Sequence, residues 1–136
     1  MASFVKIDSF VECLAEKLID LGGTGLTIAL TNTAHTAAWD ELADLTQVSY
    51  TNLSARVITV TTSAQTTGTY KLVLQDLVLT STGGTTGPFQ YVYIYDDAST
   101  NDKLICYFNY GSALTLQNGD TFTIDFDGST GVLTIA

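Results

Sequence analysis

The sequence is short, acidic and poor in charged residues. It has 136 residues, of which 46% are hydrophobic and 14% are charged, and its formal net charge at pH 7 is −9. This composition excludes a disordered chain and predicts a single domain over residues 1–136. It also argues against a nucleic acid or an anionic membrane as partner, because such binding depends on clustered Lys and Arg, and the five basic residues here are scattered.

The N-terminal sequence MASFVKIDSF contains no apolar stretch long enough for a secretory signal. No later run approaches the roughly 18 apolar residues of a membrane-spanning helix. We therefore expect the protein to be made and used without crossing a membrane. The two cysteines, Cys13 and Cys106, fit a reducing compartment and are predicted to be reduced thiols, with one bridge between them as the alternative.

The first predicted element is an amphipathic α-helix over residues 9–21. Ser9 and Glu12 have the spacing of a capping box, in which each side chain bonds a free backbone N–H. Gly22 and Gly23 predict the end of the helix, since glycine adopts the left-handed conformation without strain. An apolar stripe at helical spacing lies between these signals, formed by Phe10, Val11, Leu14, Leu18 and Leu21.

From residue 26 onward the sequence predicts strands separated by polar turns. LTIAL at 26–30 is a short apolar strand, and residues 31–47 are predicted to form a loop with one helical turn near Trp39–Ala43. The turns are rich in Thr, Ser, Gly and Asn, which supply turn conformations. The later predicted strands are RVITVTT, TYKLVLQDLVLT, FQYVYIY, KLICYFNY, TFTIDF and GVLTI.

This succession predicts a mainly β protein with one N-terminal α-helix. Short strands at regular spacing indicate an antiparallel β-sandwich or barrel over about residues 26–136. A parallel arrangement would need helices between the strands, and no helical pattern follows residue 45. The helix is expected to pack on a sheet face or to cover an open end of the sandwich.

The sequence predicts neither a catalytic centre nor a cofactor site, so we expect a protein that is not an enzyme. The single histidine, His35, lies in the polar loop. Cys106 alternates with Leu104 and Phe108, which is typical of a packed thiol rather than a nucleophile. No strand–turn–helix motif of the G-x-S-x-G type is present.

Two acidic turns are candidate metal sites. One carries D-x-D-G at Asp125 and Asp127, and the other contains Asp96, Asp97 and Asp102. An EF-hand loop would need a third acidic position and a distal glutamate, and both are missing. We expect these turns to be solvated at strand ends and to bind no metal.

The segment GPFQYVYIYDD, at residues 87–97, carries an aromatic residue at every second position. If it pairs with KLICYFNY as a hairpin, Val92 and Ile94 form an aliphatic core face, together with a similar face of the second strand. The opposite face then carries the tyrosines predicted as a protein-contact surface: Tyr91, Tyr93, Tyr95 and Tyr107.

Tyrosine suits interfaces because it buries a large ring and keeps a hydrogen-bonding hydroxyl. Two other interpretations of this face remain open. In one, the helix or a second sheet covers it, so that the hydroxyls only reach the rim of a core. In the other, the rings form a platform for sugars, although the only tryptophan, Trp39, lies elsewhere in the chain.

Nearly the whole chain resembles a group of small structural proteins of tailed bacteriophages, of the capsid decoration (cement) type. The resemblance lies in the order of FVECLAEKLIDLG, LTIALTNT, DLTQVSYTN, TSAQTTGTYKLVLQDLVLT, GPFQYVYIYDD and GDTFTIDFDGSTGVLTI. It implies a jelly-roll-like β-sandwich that binds the outer surface of an expanded capsid in many symmetric copies. It implies no catalytic residue.

On this reading the partner is the major capsid protein, and the protein self-associates, most simply as a dimer on a two-fold axis. The expected location is the outer surface of the virion, after synthesis in the host cytoplasm. Two alternatives stay open: a phage tail or head–tail connector component, and a carbohydrate-binding adhesin module.

Overall fold

A computed structural model describes residues 2–136, and in it the chain is mainly β, with antiparallel sheets and one short N-terminal helix. This confirms the prediction of an antiparallel, mainly β protein with an N-terminal helix. A 3₁₀ helix at Leu42–Asp44 overlaps the predicted helical turn. The other elements are β1 (Phe4–Lys6), α1 (Phe10–Ala15), β2 (Leu26–Thr31), β3 (Val60–Thr66), β4 (Thr69–Leu74), β5 (Leu77–Thr80), β6 (Thr86–Asp96), β7 (Lys103–Leu116), β8 (Thr121–Ile124) and β9 (Leu133–Ile135).

The strands form three sheets, with orders β1-β7-β6-β2, β3-β4-β9 and β5-β8. The first is built on the predicted hairpin of β6 and β7, which are 11 and 14 residues long. Its register places Tyr93 opposite Tyr107 and Ile94 opposite Cys106. A register shift after Ile94 then places Tyr95 opposite Leu104.

The first sheet is covered on both faces at its centre. Every residue of β2 is buried, and so are residues 92–96 of β6. One face carries Leu26, Ile28 and Leu30 of β2, all 0% exposed, which join the hydrophobic core that all three sheets share. A strand buried on both faces does not show the apolar–polar alternation of a half-exposed strand, which is why LTIAL is almost continuously apolar.

The outer edge of β2 is covered by the chain that follows it. The backbone N–H of Ile28 donates to the carbonyl of Arg56 (2.9 Å), and the N–H of Ile58 donates to that of Leu26 (2.8 Å). Further along, the N–H of Val48 donates to the carbonyl of Leu30 (3.0 Å). These bonds satisfy backbone groups that an edge strand would otherwise leave open.

Helix α1 is shorter than the predicted helix over residues 9–21, so that prediction is wrong in length. It ends at Ala15, and Lys17 takes the left-handed conformation (φ 64°) without a glycine. The Leu18 N–H donates to the Cys13 carbonyl (2.8 Å), closing the last turn. The early stop lets the following chain turn inward, and Ile19 enters the core with 5% exposure.

The predicted capping box is also wrong. Ser9 has φ −75° and ψ −8°, a helical conformation, whereas a capping side chain acts from an extended backbone. Its hydroxyl makes no bond to the helix, and its Oγ is buried without a hydrogen-bond partner among the described residues.

We predict that Ser9→Ala leaves the free energy of unfolding unchanged or raises it, because the change removes a buried hydroxyl that bonds nothing. Loss of a working N-cap would instead cost about 1 kcal/mol. Urea denaturation measures the difference. Ser81→Ala is the matched control: Ser81 is 0% exposed, and its Oγ bonds the Gly84 carbonyl (2.9 Å) and the Thr86 hydroxyl (3.0 Å). It should cost about 1–3 kcal/mol.

Candidate protein-contact surfaces

Three of the four predicted contact tyrosines lie together on one face of the β6–β7 hairpin. The rings of Tyr93 and Tyr107 stack, with centroids 5.3 Å apart and planes 29° apart. The ring of Tyr91 lies 6.3 Å from that of Tyr107. Tyr95 belongs to the same face of β6 but lies opposite Leu104, near the end of the strand.

The segment between β2 and the 3₁₀ helix covers these rings. His35 stacks on Tyr107 with centroids 4.6 Å apart, and its Nδ1 shares a hydrogen bond with the Tyr93 hydroxyl (3.0 Å). Trp39 meets His35 edge to face at 5.7 Å. We call these four residues, together with Tyr91, the aromatic cluster.

The covering segment is fixed at its far end to the start of β7. The Leu104 N–H donates to the Asp40 carbonyl (2.9 Å), and the Leu42 N–H donates to the Asp102 carbonyl (3.0 Å). The Lys103 ammonium lies 3.4 Å from the Asp40 carboxylate. The backbone hydrogen bonds of Asp40 and Leu42, which follow Trp39 in the chain, therefore hold the segment that contains His35 over the hairpin.

This cover decides which tyrosines a partner can reach. Tyr93 is 0% exposed and Tyr95 is 3% exposed, so both are packing residues in this chain. Tyr91 and Tyr107 are half-buried. The sequence did not predict which element covers this face. In the structure it is the segment that contains His35, and not the helix or a second sheet. The contact prediction can apply only to Tyr91 and Tyr107, and for them it stays a prediction.

At the centre of the aromatic cluster, the pKa shifts of Tyr93 and His35 both favour the neutral form. Burial raises the pKa of Tyr93, and neighbouring Tyr107 adds to this effect. Burial lowers the pKa of His35 from its ordinary value of 6.5, while the negative charge of Asp8 acts in the opposite direction. The two polar groups at the centre, an imidazole nitrogen and a phenol, bond each other.

Cys106 and His35 do not lie on the same face of the hairpin and so do not form a Cys–His pair. Cys106 is 1% exposed and immediately precedes Tyr107, so its side chain lies on the other face of the strand, and burial raises the pKa of its thiol. A buried thiol with a raised pKa is a poor nucleophile. Cys13 is likewise a buried free thiol.

The carboxylates of the acidic turns accept backbone N–H groups. Asp96, which is 2% exposed, accepts the N–H groups of Asp20 (2.9 Å) and Ala98 (3.0 Å). Asp127 accepts those of Ser129 (2.7 Å) and Thr130 (3.0 Å), and these bonds lower its pKa. Within residues 2–136, no group of three or more His, Cys, Asp or Glu residues is arranged to hold a metal ion.

A second surface, which sequence reasoning missed, is an apolar groove between the two ends of the chain. We call it the N-terminal groove; it has a volume of about 460 Å³ and lies between β1, α1 and β9. Phe4 and Lys6 line it from β1, Val11 and Leu14 from α1, and Ile135 from β9. Among the described residues that line it, Lys6 is the only charged one.

Apolar side chains around the N-terminal groove are open to solvent. Phe4 is 36% exposed, Val11 is 55% exposed and Ile135 is 40% exposed. The groove adjoins a second cleft of about 510 Å³, which shares Phe4 and is also lined by Asp125 and Asp127. Grouped exposed apolar side chains with a polar border are typical of surfaces that bind another protein.

None of the helices within residues 2–136 has both the length and the apolar character needed to cross a membrane.

We predict that Tyr93→Phe lowers the free energy of unfolding by about 1 kcal/mol, because it leaves His35 without its hydrogen-bond partner. Tyr110→Phe is the matched control, since Tyr110 is 38% exposed and should change stability by less than about 0.5 kcal/mol. Equal effects of the two substitutions in urea denaturation would show that the buried bond adds no stability.

Because the pKa of His35 is lowered in the folded protein, the unfolded chain takes up a proton first as the pH falls. The stability that His35 contributes should therefore be fully present above pH 6.5. It should be lost as the pH falls from 6.5 through the lowered pKa of the folded protein. We predict that unfolding free energy falls more steeply between about pH 7.5 and 5.5 in the wild type than in His35→Asn. Parallel pH profiles, or a steeper fall in the variant, would contradict this.

Comparison with known proteins gives no match: no family model, no curated protein and no solved structure is significantly similar to this chain.

Proposed function

We propose that this protein is a non-enzymatic structural protein of a phage virion, which binds the outer surface of the capsid and stabilises the expanded shell. The observation that carries the proposal is the N-terminal groove, where Phe4, Val11 and Ile135 are exposed together at one edge of the fold. A surface of this kind serves protein–protein contact rather than the binding of a small polar substrate. The sequence resemblance to decoration proteins supplies the kind of partner, the major capsid protein.

The charge of the chain supports the outer face of a shell. A net charge of −9 would be repelled by packaged DNA on the inside. The same charge and the small number of cations weigh against nucleic acid as the ligand. The protein would be made in the host cytoplasm and would attach to the completed head.

The mechanism we propose is linkage between binding and shell state. A protein that binds only the expanded lattice stabilises that lattice by mass action, against the pressure of the packaged genome. Self-association as a dimer would give each unit two points of attachment and would raise its avidity. Tyr91 and Tyr107, half-buried on the hairpin, are proposed as additional contacts.

For the fold, we propose a jelly-roll-like β-sandwich. The support is that the four-stranded sheet and the two smaller sheets contribute to one buried hydrophobic cluster. Sheets that pack against each other over a shared core form a sandwich.

The test is co-sedimentation of the purified protein with heads of its source phage, before and after expansion. We predict saturable binding to expanded heads only, and at least about tenfold weaker binding of Val11→Glu, because a buried unpaired charge costs more than about 1.4 kcal/mol. Val78→Glu is the control, since Val78 is 50% exposed and lies on β5, away from the groove.

Absence of binding to either form of the head would contradict the proposal. Binding to purified tails or connectors would favour the tail or connector alternative. Saturable binding of a sugar by the free protein, lost on substitution of Trp39 or Tyr91, would favour the adhesin alternative.

A further inference from the structure

The open edge of β1 has backbone groups that point into solvent. β1 pairs with β7 through Phe4 opposite Phe108, Val5 opposite Tyr107 and Lys6 opposite Cys106. The Ile7 N–H donates to the Ile105 carbonyl (3.1 Å). This bond shows that Ile7 and Ile105 form a hydrogen-bonded pair of the ladder. Since bonded and non-bonded pairs alternate in an antiparallel ladder, the N–H and C=O groups of Phe4 and Lys6 point away from β7.

The opposite wall of the N-terminal groove is another sheet edge. β9 is the last strand of the order β3-β4-β9, and Leu133, Thr134 and Ile135 line the groove. The groove therefore lies between two edge strands. Phe10 and Leu14 of α1 also line it and give it an apolar floor. An extended chain in this position would find backbone groups beside it and apolar side chains beneath it.

Lys6 is the charged residue that lines the N-terminal groove itself, so the carboxylates of the adjoining cleft favour a cationic group only at that end of the occupant. Beyond Phe4, the adjoining cleft is lined by Asp125 and Asp127, and Asp125 is exposed. A second copy of this chain would bring another net charge of −9 to this acidic region, so like-charge repulsion opposes it as the occupant.

We propose that the N-terminal groove receives an extended segment of a different protein, which adds a strand to the edge of β1. The segment places apolar side chains on Phe10 and Leu14, and a Lys or Arg near Asp125 and Asp127. The inference rests on the proposed function for the identity of that protein, the subunit of the expanded shell. Strand addition supplies affinity through the backbone, and alternate side chains supply specificity.

The first test is photo-cross-linking on expanded heads with p-benzoylphenylalanine in place of Phe4. We expect one dominant cross-linked peptide from the shell subunit, apolar at alternate positions and with a Lys or Arg within a few residues. The same probe in place of Val78, which is 50% exposed on β5, should not capture that peptide.

The outcomes separate the two proposals. If the protein does not sediment with heads, both are wrong. If it sediments but the Phe4 probe captures nothing, or captures another copy of this chain, the protein binds heads and the strand-addition inference is overturned.

A second test addresses charge. Asp125→Asn should weaken binding to expanded heads about two- to fivefold at low salt, the range of an exposed ion pair, and should reduce the salt dependence of binding. Asp97→Asn removes the same charge from the exposed turn after β6 and should leave both quantities unchanged. Equal effects of the two variants would overturn the assignment of a cationic residue to the cleft.

Discussion

The backbone ladder between β6 and β7 joins the two longest strands and gives the neighbouring elements their attachment. β1 pairs with β7 and β2 pairs with β6, so the four-stranded sheet grows outward from this hairpin. The segment after β2 returns across the hairpin and binds the start of β7 through Asp40 and Leu42. A shift in the register of this one ladder would move side chains between faces and would separate His35 from both of its tyrosines.

Much of the architecture could be predicted from local pattern. Alternating aromatic and aliphatic residues identified the β6–β7 hairpin, and Gly-, Asn- and Thr-rich stretches marked the turns. The helix shows where local pattern fails. Its apolar stripe suggested residues 9–21, yet the chain leaves the helix at Ala15 because Ile19 packs into the core. Lys17 accepts a left-handed backbone there, which nothing in its own residue type predicts.

The candidate contact surface could be predicted only in part. Alternation correctly grouped Tyr91, Tyr93 and Tyr107, but it could not show that His35, more than fifty residues away in sequence, would cover the middle ring. The N-terminal groove is formed by residues 4–15 and 133–135, which meet only because of the strand order. Phe4, Val11 and Ile135 have no distinctive spacing, and their exposure is a property of the tertiary structure.

The two edges of the four-stranded sheet differ in a way that limits how copies can associate. The edge at β2 is closed by bonds to Arg56, Ile58 and Val48, whereas the edge at β1 is open. Head-to-tail growth of a continuous sheet needs two complementary free edges on every copy. This sheet can be extended by one strand and then stops, so copies of the chain cannot build a fibril through it, however concentrated they are.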